Sequence, residues 1–389
     1  LLAPRSLPNL AIPLARGWGR LFRHAEEIMS ARPASKPQKH TLAGWLMATP
    51  AVGLITLFLV VPFLLAFVLS FTNQRLVSPN PPQFVGLANF EQLLGVGTLM
   101  LEPERDDAGA IVRNDDGAAE YPRVRDFTRN NPDYPQLSGM RELASMSWGD
   151  NRLVFLARDV VFIKAVLNTL AFVVVVAPVQ AGLALLLALL INQKLRGINV
   201  FRTIYFMPVV VSIVVVSLLW RFIYAGQNGL LNTLLSFLTF GNFEPVDWLG
   251  NPSTALWSIL AMSVWQGVGF HMVIWLSGLQ TIPESLYEAA DIEGATAWQK
   301  FRYVTWPGLR NTAVLILIVI TMQAFSLFSQ VDVMTKGGPV DSTQSIVFQA
   351  VQRGYVQQDI ASGSAISVLL FLIVLSISLL QRWLTRERN

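Results

Sequence analysis

Between Thr169 and Ile191 the chain runs for 23 residues without a charge, interrupted only by Pro178, Gln180 and Gly182. As a helix rising 1.5 Å per residue, such a run is long enough to cross roughly 30 Å of hydrocarbon. Only helices and closed barrels satisfy every backbone polar group in lipid, and a barrel shows short alternating segments instead. Similar apolar runs recur, giving six expected spans at 44–71, 165–191, 203–224, 255–279, 312–334 and 362–381. The fold class that follows is an all-α integral membrane protein. Composition agrees: only 14% of the 389 residues are charged, against about a quarter in soluble domains, and the mean hydropathy is +0.47.

Basic residues orient the spans. With the N-terminus in the cytoplasm, segments 1–43, 192–202, 280–311 and 382–389 hold 7, 3, 3 and 3 Lys or Arg, whereas the opposite loops 225–252 and 335–361 hold 0 and 2. Positive residues collect on the cytoplasmic side, so both termini are expected there. The long loop 72–164 carries 10 basic and 13 acidic residues, but loops of that length cross largely regardless of charge. Within it, 97–157 reads as a small extracytoplasmic insertion, with a hairpin over 110–124 turning at Asp116-Gly117. Two readings stay open for it, a disordered insertion and a folded module that touches an extracytoplasmic partner. In the 1–43 tail, Leu14, Trp18, Leu21 and Phe22 recur at helical spacing among Arg16, Arg20 and Arg23, which suits an interfacial helix or else a frayed tail. The start shows no charged, then apolar, then small-residue pattern, so no cleavable signal peptide is expected.

Several function classes lose support. There is no cysteine, and the three histidines, His24, His40 and His271, are scattered, so no metal site is expected. An ion-coupled carrier needs carboxylates within its spans, and a voltage sensor needs repeated arginines; the middles of the spans hold neither. No phosphate loop occurs, and "TKGGP" at 335–339 lacks its spacing. No catalytic constellation is visible, so an enzyme reading has little basis, and nothing points to nucleic acid.

One charged stretch stands out, "SLYEAADIEGATAWQKFRYVTWPGL" at 285–309. Pro283 can start a helix, and Glu284 and Glu288 suit its first turns. Ala289 and Ala290 leave room for another backbone, and Gly294 allows a sharp turn. A second helix is expected from about Thr296 to Thr305, before Pro307, with Trp298, Phe301 and Val304 or Thr305 on one face. Such a hairpin either packs on its own bundle or offers small residues and charges to a cytosolic partner.

This stretch closely resembles the E-A-A-x-x-x-G loop of ABC importer membrane subunits, and nine residues separate Gly294 from the further match Val304-Thr305-Trp306-Pro307. The resemblance implies a six-helix type I ABC importer transmembrane domain in a bacterial or archaeal inner membrane. It implies that Glu288, Ala289, Ala290, Asp291, Gly294 and Pro307 belong to a coupling helix docked in a separate ATPase subunit. Such an assembly has a second homologous permease, two ATPase chains that bind ATP and Mg, and a periplasmic or surface solute-binding protein; this chain itself is expected to hold no cofactor. "FVGLANFEQLL", "FIKAVLNTLAF" and "MTKGGPVDSTQSIVFQAV" resemble permeases of sugar and polyol importers, and Thr335-Lys336-Gly337-Gly338-Pro339 points to the sugar-contacting subunit of maltose-type systems. The likeness covers about 44–96 and 160–385 and departs at 97–157, near the place where maltose importers carry an external loop that contacts the binding protein.

A sugar path needs hydrogen-bonding groups and an aromatic platform in mid-membrane. Candidates are Trp265, Gln266, Gly267, Phe270, His271, Gln323, Ser326 and Ser329. By resemblance, Trp265 and Gly267 match positions lining the sugar site, Phe270 replaces a tyrosine, and Ser326 and Ser329 fall where relatives place amides or an acid. Their rivals are structural: Ser and Gln join helices, His271 packs, and Trp265 is interfacial. The run Val209-Val210-Val211 after Pro208 is too apolar for a rich sugar site. Other open readings are a permease for glycerol phosphate, whose anion would favour basic cavity groups, a secondary carrier or channel, and a scaffold without transport.

Overall fold

The computed structural model describes residues 38–115, 117–129, 131–193 and 197–385, so the interfacial helix expected around 14–23 and the turn residue Asp116 lie outside the described residues. The chain divides into two units, Leu1–Phe63 and Leu64–Asn389. In the first, a helix over Gln38–Ile55 continues into a wider turn at Thr56–Val60.

In the second unit the helices Val160–Ile191, Ala255–Gln280 and Ile360–Trp383 are each long and apolar enough to span a bilayer. Two expected spans depart from a single straight helix. The segment 203–224 consists of two helices, Ile198–Val210 and Ile213–Ile223, bent by 98°. Pro208 removes a backbone donor in the last turn of the first helix, and β-branched Val209, Val210 and Val211 hold the following chain poorly in a helix. Val211 is accordingly extended, with φ −78° and ψ 136°, and Ser212 opens the next helix, its carbonyl accepting from Val216 N at 3.0 Å. The segment expected at 312–334 likewise ends early. Its helix is Arg310–Phe325, Ser326 breaks it, and a short helix Ser329–Met334 follows.

The core lies where the second and fourth spans meet. Phe172, Val176, Ala184 and Ala188 pack with Ile259, Met262, Met272, Ile316 and Ile320, all nearly inaccessible. Small residues set the spacing, as expected where lipid offers no hydrophobic drive between helices. A Cβ at Gly269 would lie 1.9 Å from the Tyr205 carbonyl oxygen, so the fourth span touches the backbone of Ile198–Val210 directly. Trp275 Nε1 donates to the Ala181 carbonyl at 3.0 Å and fastens the fourth span to the second.

The insertion folds. Strands β1 (Val96–Leu101), β2 (Arg141–Trp148) and β3 (Asn151–Ala157) form an antiparallel sheet in the order β1-β3-β2. Period-two alternation puts Leu99, Leu101, Val154 and Leu156 on one face, where Leu137 and Met140 cover them. Within 110–124, where a hairpin is expected, Arg113 pairs with Ala119 in an isolated antiparallel bridge and Glu120 N donates to the Val112 carbonyl at 2.9 Å; a second isolated bridge joins Arg105 to Ile111. In the loop that each bridge closes, a side-chain oxygen of Asp106 or Asn114 accepts backbone N–H groups, and an arginine donates to a glycine carbonyl, Arg105 to Gly109 at 3.0 Å and Arg113 to Gly117 at 2.7 Å. Local side-chain bonds of this kind compete with strand pairing.

Candidate functional site

The charged hairpin is built from its caps. Pro283 is the N-cap, extended at ψ 130°, rather than the first helical residue, and the first helix runs Glu284–Ile292. It closes in a Schellman arrangement: Gly294 N donates to the Asp291 carbonyl at 3.0 Å and Ala295 N to the Ala290 carbonyl at 2.9 Å. Gly294 sits at φ +71°, the left-handed region where a side chain is strained, although nothing within 4 Å would meet a Cβ. Thr296 then starts a capping box with Gln299, whose Oε1 accepts from Thr296 N at 2.7 Å. The second helix, Ala297–Lys300, widens over Phe301–Thr305 before Trp306–Gly308, which contains Pro307.

Two contacts hold the arms together, the first an ion pair and the second a hydroxyl pair, and a ring stack stiffens the second arm. Lys300 forms an ion pair with Asp291, Tyr287 Oη and Thr305 Oγ1 lie 3.0 Å apart, and the rings of Trp298 and Phe301 stack at 5.5 Å. Thr305 is therefore buried against Tyr287 and leaves the outer face that its spacing had offered. What remains outside is mixed. Glu288, Ala289 and Gly294 are exposed beside Leu286, Trp298 and Tyr303, and Ile292 is 88% exposed. An elbow that presents large apolar groups among charges has the chemistry of a protein contact. Its apolar members Leu286, Ile292 and Tyr303 were missed in the sequence because only the turn geometry shows which way they face.

The candidate path residues divide into two groups. Trp265 stands 5.5 Å, ring to ring, from Trp220. Gln266 Nε2 donates to the Val211 carbonyl at 3.4 Å, an acceptor that the bend in the third span leaves without a helical partner. Gly267 faces buried Gln180, whose Nε2 would lie 1.9 Å from an added Cβ. His271 is buried, with Nδ1 2.8 Å from the Gly267 carbonyl, Nε2 without a hydrogen bond among the described residues, and the Phe270 ring edge-on at 5.3 Å. Gln323, Ser326 and Ser329 form the second group, at and beyond the end of Arg310–Phe325. Ser326 Oγ donates back to the Met322 carbonyl at 3.2 Å. Among the described residues, no hydrogen bond or ring contact joins this group to Trp265. The arrangement around the bend supplies amides, a backbone carbonyl outside any helix and paired indoles, the groups that orient a polar ligand in a pocket. In the sequence Gln180 stands out only as a lone amide interrupting an apolar span, and Trp220 carries no signal that sets it apart.

A family profile described as binding-protein-dependent transport system inner membrane component matches residues 160–389. The chain is 37% identical over 221 residues to a trehalose/maltose transport system permease protein of Thermococcus litoralis, covering 57% of this chain and 74% of the relative. It is 34% identical over 245 residues to a lactose transport system permease protein of Rhizobium radiobacter, covering 62% and 82%. A crystal structure of a bacterial ABC transporter that imports the acidic polysaccharide alginate shares the fold, with a TM-score of 0.63 and 18% identity over 95% of this chain and 99% of the other.

Proposed function

This chain belongs to the family of binding-protein-dependent transport system inner membrane components, and from that premise we propose that it is the permease subunit of an ATP-driven importer for a sugar or related polyol. The sugar-transport names of its relatives support the solute class. The reading assigns it half of a translocation path, shared with a second, similar permease, and assigns ATP hydrolysis to two separate ATPase chains. A solute-binding protein delivers the sugar on the outer side, and both termini and the hairpin lie in the cytoplasm.

The observation that carries the coupling role is the exposed elbow at Glu284–Gly308, whose shape depends on Gly294 at φ +71°. Closure of an ATPase dimer gripping this elbow would rock the spans between outward and inward access. Trp265 and Gln266, beside the bend of the third span, are the residues assigned to the sugar path.

Coupling is tested with Gly294→Val and Glu288→Lys in the complete transporter. A left-handed conformation costs an L-residue about 1–2 kcal/mol, enough to displace the elbow's equilibrium roughly tenfold. Both variants are expected to insert and to retain ATP hydrolysis while uptake falls by about that factor. Normal uptake by both contradicts the assignment.

A further inference from the structure

We propose that a polar cavity of about 780 Å³, where the second span begins, is a binding vestibule for a short carboxylated oligosaccharide. Its volume lies within the roughly 300–1,000 Å³ of small-molecule sites. It is separate from the Trp265 region and sits between the chain after the first span and the segment joining the fifth and sixth.

One wall is a hydrogen-bonded ladder. Gln344 Nε2 donates to Asp341 Oδ1 at 3.2 Å, Gln349 Nε2 to Gln344 Oε1 at 2.8 Å, and Arg353 Nε to Gln349 Oε1 at 3.2 Å. Arg353 Nη1 ends the ladder on Asp159 Oδ2 at 2.5 Å, at the N-cap of the second span. Gln344 and Gln349 are buried, so this wall is set before a ligand arrives, which lowers the ordering cost of binding.

Five further lining groups are uncommitted. The side chains of Arg75, Gln92, Lys336, Gln352 and Gln357 line the cavity and make no hydrogen bond or ion pair among the described residues. Amides both donate to and accept from sugar hydroxyls, and free cations suit a carboxylate. The lining carboxylate, Asp359, is already engaged by Ser362 Oγ at 2.8 Å and Ser362 N at 3.0 Å. Phe348, the aromatic in the lining, is 2% exposed and gives a neutral sugar no platform. Lys336 also holds φ +53°, just beyond the short helix Ser329–Met334, in a position that glycine would fill without strain.

The inference rests on the importer reading for the solute that reaches this end, while the carboxylate preference comes from the cavity alone. The test is isothermal titration of the purified full chain with its copurifying partners, in neutral detergent at low salt, using trigalacturonate, maltotriose and inorganic phosphate. Trigalacturonate should bind, and the exposed-site double variant Arg75→Gln/Lys336→Gln should weaken it about tenfold or more at an unchanged unfolding midpoint. Maltotriose and phosphate should bind at least about tenfold more weakly than trigalacturonate. Equal affinity in wild type and double variant overturns the vestibule. So does equal binding of phosphate, which marks a simple anion or lipid-headgroup seat, or equal binding of maltotriose. An ATPase that copurifies while trigalacturonate fails to bind leaves the importer reading standing; absence of the ATPase counts against that reading instead.

Discussion

At the scale of single residues, the path assignment rests on Trp265 and Gln266 beside the bend of the third span. Trp265 pairs with Trp220, and an aromatic pair is worth about 0.5–1.5 kcal/mol beyond its buried area. We predict that Trp265→Ala raises the half-saturating concentration for uptake by about two- to tenfold, and that Trp265→Phe recovers most of the loss. Uptake kinetics in reconstituted vesicles measure this, and an unchanged alanine variant would remove Trp265 from the path. Trp265 and Gln266 were legible in the sequence as polar and aromatic residues within an apolar span. Their partners were not. Gln266 bonds to the carbonyl of Val211, which is unpaired only because the chain bends there, and a bend of 98° is a tertiary fact that the local pattern carries only as Pro208.

At the scale of elements, backbone proximity decides the packing. Gly269 lets the fourth span rest on Tyr205, whereas Gly182, on the second span, has nothing within 4 Å of a Cβ. Gly269→Ala is expected to destabilise by about 1–3 kcal/mol through overpacking, and Gly182→Ala to be neutral or to stabilise by up to about 1 kcal/mol. Unfolding midpoints in detergent should separate the two variants by several degrees; coincident midpoints would refute the close approach. The two glycines look alike in sequence, since both interrupt apolar runs, and only the neighbour distinguishes them. Periodicity located the second, fourth and sixth spans because their charge-free length allows no other solution in lipid. It misplaced the end of the fifth, where Ser326 and Phe328 turn the chain although the hydropathy continues. The hairpin expected at 110–124 is present only as a short pairing, Arg113 with Ala119, because Asn114 draws the backbone into a local turn.

At the scale of the whole molecule, a membrane bundle whose spans carry no charge in their middles is joined to a charged elbow outside them. Membership of the transport family was legible from that elbow, because residue types and spacing in 285–309 are constrained by a partner as well as by the fold. The orientation of its exposed apolar groups needed the Schellman turn to be seen. The central claim is that a separate ATPase grips this elbow, and one labelling measurement tests it. The chain has no cysteine, so Ile292→Cys introduces a single thiol at the most exposed large apolar position of the elbow, 88% exposed, and Val77→Cys, at a loop residue 73% exposed, serves as the control. Maleimide labelling is compared with and without the ATPase subunits. The account predicts that the thiol at 292 is protected when the ATPase is bound and that the degree of protection changes with nucleotide, while the thiol at 77 labels equally throughout. Equal labelling at 292 with and without the bound ATPase, in both nucleotide states, would contradict it.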